Sequence, residues 1–167
     1  MACTGNPAIS TSSGSTTTGT PNGSGAVPLP THWPGNTIEA TIGLGVADTS
    51  FVKVGKDLSA AVDAGDLARL LTVTDDVRRF LAANQTQIAV LQAYPETKSV
   101  GDRLAPAYAQ MAAGVKQIHD SLVAGDGNGV TAGFATFSAG NTVYAAVRGD
   151  LGRLVSQALE MKRHYNL

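Results

Sequence analysis

One cysteine, Cys3, is the whole thiol content of a chain of 167 residues. A lone thiol closes no internal disulfide and provides no second cysteine for a c-type haem attachment. Aromatic residues make up only 5%, so a core must come from Ala, Leu, Val and Ile. Basic excess is missing too: the net charge is −1. With no surplus of Lys and Arg to neutralise phosphates, nucleic acid is not an expected partner. No run of about 18 apolar residues occurs, so no membrane-spanning helix is expected. No stretch alternates apolar and polar residues as a half-buried strand does.

What is present divides the chain in two. Residues 1–35 read as a tether and residues 36–167 as one domain. From Ser10 to Gly25 the chain is almost entirely Ser, Thr, Gly, Asn and Pro. Such a composition buries too little apolar surface to offset its ordering entropy, so disorder is expected. Pro28, Pro30 and Pro34 then impose extended backbone ahead of the domain. Cys3, directly before this tract and after the small residue Ala2, resembles the start of a processed bacterial lipoprotein. The resemblance covers only Cys3 and the tract behind it. It implies an export signal removed upstream, a diacylglyceryl group on Cys3 and anchorage to a membrane. The location it implies is the extracytoplasmic face of a cell membrane, or the periplasm.

The domain reads as all-α. Ile38, Ile42 and Val46, then Val54, Leu58 and Val62, recur at four-residue spacing. Thr37 is the expected cap, and Gly43, Gly45 and Thr49-Ser50 leave open whether this first helix is continuous. Gly65 stops it and Asp66 caps a second helix, which Pro95 ends. A third helix is expected from a cap at Ser99 or Asp102, with Pro106 in its first turns, to Gly125. The fourth starts after Asp126-Gly127-Asn128-Gly129 and runs to about Tyr165. Leu58, Val62 and Ala64-Gly65-Asp66 match Ile118, Leu122 and Ala124-Gly125-Asp126 in order and spacing. Two similar hairpins predict an antiparallel, up-down-up-down four-helix bundle. The expected core is Leu58, Val62, Leu70, Val77, Leu81, Leu104, Met111, Val115, Ile118, Leu122, Phe134, Phe137, Val147, Leu151 and Leu154. Lys53–Asp57, Asp75–Arg79, Lys116–Asp120 and Glu160–His164 fall four apart, as exposed helical ion pairs do.

No catalytic motif is found. There is no Gly-x-Ser-x-Gly, and Cys3 lies on a tether with no positioned base. The loop at Asp126 begins like a calcium loop, but Val130 and Phe137 stand where oxygen ligands are needed. No Glu-x-x-His occurs, which rules out a di-iron bundle on motif grounds. In architecture the domain is similar to cytochrome b562-like bundles. Such a site would use a methionine on the first helix and a histidine near the end of the fourth. His164 is placed for that role, but the first helix has no methionine. No metal or cofactor is therefore expected.

Helix four carries small residues at regular spacing: Ala132, Thr136 and Gly140 on one stripe, Ala145 and Gly149 on another. They favour close helix packing, inside the bundle or between molecules. Trp33, Tyr108, Gly140, Tyr144 and Tyr165 are the candidate partner surface, since aromatic residues are enriched at interfaces. The expectation is a non-enzymatic, membrane-tethered interaction or accessory protein that meets a protein partner near the membrane. The alternative is a helical bundle that binds a small ligand or a haem-like cofactor.

Overall fold

The structure, a computed structural model, describes residues 33–166. Cys3, His32 and the rest of the Ser/Thr/Gly tract lie outside the described residues. Four helices follow one another: α1 (Gly35–Asp63), α2 (Leu67–Ala93), α3 (Pro95–Ala124) and α4 (Gly127–Tyr165). No strand occurs among the described residues. Each helix packs on two neighbours in the ring α1–α2–α3–α4, and the backbones of the diagonal pairs stay apart. This is the antiparallel up-down-up-down bundle.

The two hairpin turns are built alike. Gly65 and Gly125 adopt φ of +62° and +69°, where glycine alone is unstrained. The Gly65 amide donates to Val62 and that of Asp66 to Ala61. The Gly125 and Asp126 amides donate to Leu122 and Ser121 in the same way. Both are Schellman turns that satisfy the last carbonyls of a helix. Asp66 then accepts from the Arg69 amide and Asp126 from that of Asn128, capping the next helix. The repeat seen in the sequence is this duplicated turn.

The third connection is sharper. Tyr94 alone separates α2 from α3, in extended backbone. A residue before proline favours that conformation, and Pro95 suits the first helical position. α3 therefore starts at Pro95, not at a cap on Ser99 or Asp102. Pro106 consequently lies inside the helix, on its exposed side. There water can reach the Asp102 carbonyl, which is left without its helical donor. α1 is one continuous helix capped at Pro34. Thr37 is buried within it, and Thr49 bonds back to the Val46 carbonyl instead of starting a second helix.

Every helix follows a heptad seam. In α2 the buried positions are Leu70, Thr74, Val77, Leu81, Asn84, Ile88 and Leu91. In α3 the seam runs Thr97, Gly101, Leu104, Tyr108, Met111, Val115 and Ile118. In α4 it runs Gly140, Tyr144, Val147, Leu151, Leu154, Ala158 and Met161. Steps of three and four alternate without a break, so the seam keeps facing the core only with left-handed supercoiling. Most of the expected core is buried, including Leu58, Leu70, Val77, Leu81, Leu104, Met111, Val115, Ile118, Val147, Leu151 and Leu154. Leu122, Phe134 and Phe137 are half-buried. Val62 is the error, at 44% exposure. Val46 is more exposed still, at 63%.

Trp33 is 1% exposed and meets the Tyr94 ring edge-on at 6.4 Å. It closes the end of the bundle where the chain enters, next to the α2–α3 corner.

Candidate functional site

Most of the residues singled out in the sequence are structural. Trp33, Tyr108, Gly140 and Tyr144 are buried, so they offer no surface to a partner; Tyr165 is the member of that set left exposed. Gly140 lies against Met111 and the Ala107 carbonyl. Gly133 meets Ile118 and Gly114, and Gly114 meets the Phe137 backbone. The close α3–α4 contact therefore uses Gly133 and, from the Ala132–Thr136–Gly140 stripe, Gly140; Ala132 is exposed. Ala145 and Gly149 are open to solvent.

His119 and His164 lie on different helices. His119 on α3 stands 3.6 Å from Asp75 and 3.5 Å from Asp120. His164 packs edge-on against Tyr165 at 4.8 Å. Met111 and Met161 lie in the filled core. Among the described residues no group of three or more His, Cys, Asp or Glu could hold a metal ion. The surface ion pairs follow expectation at Lys53–Asp57 and Lys116–Asp120. Asp75 instead takes Arg78, and Arg79 takes Asp76. Buried polar groups are mostly satisfied inside their own helices: Thr41 donates to Thr37, Thr74 to Leu71 and Asn84 to Phe80.

One polar group crosses between elements at the centre of the α1–α4 seam. The Tyr144 hydroxyl donates to Asp48 Oδ1 at 2.5 Å. Arg148 donates through Nε and Nη2 to Asp48 Oδ2, at 3.0 and 2.8 Å. Behind them lies Tyr108, edge-on to Tyr144 at 5.8 Å, with a buried hydroxyl that meets no partner. Burial, and then the Asp48 charge, pushes the Tyr108 phenol up to about 12. The Tyr144 phenol is also pushed up, by burial and by its bond to Asp48. Phe51 packs on Tyr144, Phe80 and Phe137 at 5.4, 6.0 and 6.1 Å. Five of the nine aromatic residues thus gather at one level.

Outside this layer the seam opens as a groove. One stretch, about 390 Å³, is lined by Gly55, Leu58, Ser59, Val62, Phe134, Phe137 and Ser138. The next, about 280 Å³, continues past Val52, Asn141 and Ala145 to Asp48 and Arg148. A third reaches Gly45 and Gly152. The α1 wall is therefore Gly45, Asp48, Val52, Gly55, Ser59 and Val62. The α4 wall is Phe134, Ser138, Asn141, Ala145, Arg148 and Gly152. Both keep steps of three and four, in step with the core seam. Its only charges, Asp48 and Arg148, neutralise each other. From Gly127 to Val147 α4 has no charged residue at all. That charge gap was readable in the sequence; the Asp48–Arg148 pairing, a hundred residues apart, had no local signal.

Comparison with protein-family models, curated proteins and solved structures finds no match to this chain.

Proposed function

We propose that this protein is a non-enzymatic interaction or accessory protein, held at the extracytoplasmic face of a membrane through a lipid on Cys3. The observation that supports it is the contrast between interior and surface. The core is filled by buried side chains along four heptad seams. The surface, by contrast, carries a long open groove of weakly polar lining. A filled core with an apolar surface groove suits a macromolecular contact better than an enclosed ligand. No described helix is long and apolar enough to cross a membrane, so attachment would rest on the N-terminal lipid. A single chain gives weak binding, whereas the two chains of a diacylglyceryl group anchor stably.

The test is the mass of the N-terminal peptide of the protein isolated from its native cells. The reading predicts a diacylglyceryl-modified Cys3 and recovery in the membrane fraction. Cys3→Ser should release the protein from that fraction. An unmodified Cys3 in a fully soluble protein contradicts the anchorage.

A ligand-binding reading has one observation in its favour, the partnerless Tyr108 hydroxyl beside Tyr144 and Asp48. A polar ligand group reaching that hydroxyl would raise the melting temperature of the wild type and not of Tyr108→Phe. Absence of any such ligand from the native protein, checked by mass spectrometry under non-denaturing conditions, counts against it.

A further inference from the structure

We propose that the α1–α4 groove is the interface of a two-fold symmetric dimer of this chain. Burying an unpaired charge is costly, so a neutral surface is best covered by another neutral surface. The groove is neutral along its length: its walls hold Gly, Ser, Ala, Val, Asn and Phe, and its one Asp is matched by its one Arg. Beside it, the outer face of α4 presents Ala135, Ala139, Thr142, Ala146 and Gly149, all exposed and all uncharged. The molecule thus carries a neutral groove with small walls beside a ridge of small side chains, bordered at Ala146 by the Arg103–Asp150 ion pair. The α2–α3 face, by contrast, displays Asp75, Arg78, Arg79 and Lys116.

Geometry agrees with charge. Phe134, Ser138, Asn141, Ala145 and Arg148 step by four and three, with Asn141 at the middle. A two-fold axis at Asn141 lays α4 antiparallel on its symmetry mate. A carboxamide is both donor and acceptor, so it can pair with its own copy. Small residues on both helices allow close approach, and the mate's α4 then lies along the open seam. An isologous contact of this kind closes on itself. The uncharged part of α4 is about 30 Å long at 1.5 Å per residue. Two adjacent helices of about 10 Å diameter then offer roughly 600 Å² in projection. Accessible area exceeds projected area, which brings the face near the roughly 800 Å² per partner of a stable interface. Phe134, Phe137 and Val62, incompletely buried in one molecule, would form an apolar cluster on each side of the axis. The inference does not depend on lipidation, and its failure would leave the Cys3 test intact.

Sedimentation velocity of the full chain, under reducing conditions so that Cys3 forms no cross-link, tests the proposal. A species of twice the chain mass is expected, with dissociation on dilution. Ser138→Arg and Ala145→Glu should each give monomer at all concentrations with unchanged helix content. Gln85→Arg, on the α2–α3 face, should leave the dimer as it is. A wild type that stays monomeric overturns the proposal, including one whose groove takes up a helical peptide instead. So does a dimer indifferent to both groove substitutions.

Discussion

Gly114 and Gly152 are both helical glycines, and one added methyl group should affect them oppositely. A Cβ at Gly114 would overlap the Phe137 backbone, which cannot swing aside. Gly114→Ala should therefore lower stability by about 1–3 kcal/mol through overpacking. At Gly152 a Cβ meets nothing within 4 Å. Gly152→Ala should raise stability by roughly 0.5–1 kcal/mol, the helix preference of alanine over glycine. Urea unfolding of the two variants reads both signs, and equal effects would refute the packing described. The tyrosines give a second prediction. Tyr108 ionises near 12 in the folded chain, against an ordinary value of 10. A raised pKa of this kind adds stability fully present below pH 10, which is lost as pH rises from 10 through about 12. The loss from Tyr108 is of the order of 2–3 kcal/mol. Tyr108→Phe should flatten that part of the stability–pH curve, and Tyr144→Phe should act in the same direction. Tyrosinate absorbance should show both phenols ionising late, during unfolding. Early ionisation of all tyrosines would contradict the buried Tyr108–Tyr144–Asp48 arrangement.

At the scale of elements, the turns were legible because their chemistry is local. A left-handed glycine followed by a capping aspartate needs no tertiary information, and both hairpins were found that way. Asp66→Ala and Asp126→Ala should each cost about 1 kcal/mol of stability by urea unfolding. An unchanged midpoint in both would mean that these caps contribute nothing. The faces of α1 were less legible, for a geometric reason. Each residue turns the helix by about 100°, so a run spaced by four drifts by about 40° per step. Ile38 is buried, Ile42 half-buried and Val46 exposed, as that drift requires. Leu58 and Val62 repeat the failure. The residues that stay inward alternate threes and fours and include Ala40, Leu44, Ala47 and Phe51. Two of these are alanines, which carry little hydrophobic signal. The α2–α3 corner was misread because a one-residue link leaves no loop composition to recognise. Of the candidate partner surface, the tyrosines and Trp33 were noticed for being aromatic. In a chain this poor in aromatics, Trp33, Tyr108 and Tyr144 are the bulk the core needs.

The whole molecule has two ends and two sides. The described chain enters at Trp33, beside the α2–α3 corner. The apolar stretch of groove, Gly55 to Val62, lies some 30–40 Å further along α1 at 1.5 Å per residue. A tether attached at the first end would leave the groove facing away from its anchor. The α2–α3 side is a mosaic of ion pairs worth little to stability one by one. The α1–α4 side carries two ion pairs, Lys162–Glu39 and Arg148–Asp48, and a groove lined mostly with small uncharged residues. The central claim is that recognition resides on the α1–α4 side and not in the interior. Hydrogen exchange of the full chain, compared at low and high protein concentration, tests it most directly. The account predicts that protection rises with concentration in two segments, residues 48–62 of α1 and 134–148 of α4, while α2 and α3 stay unchanged. Protection that is independent of concentration, or that rises on the α2–α3 side instead, would contradict it.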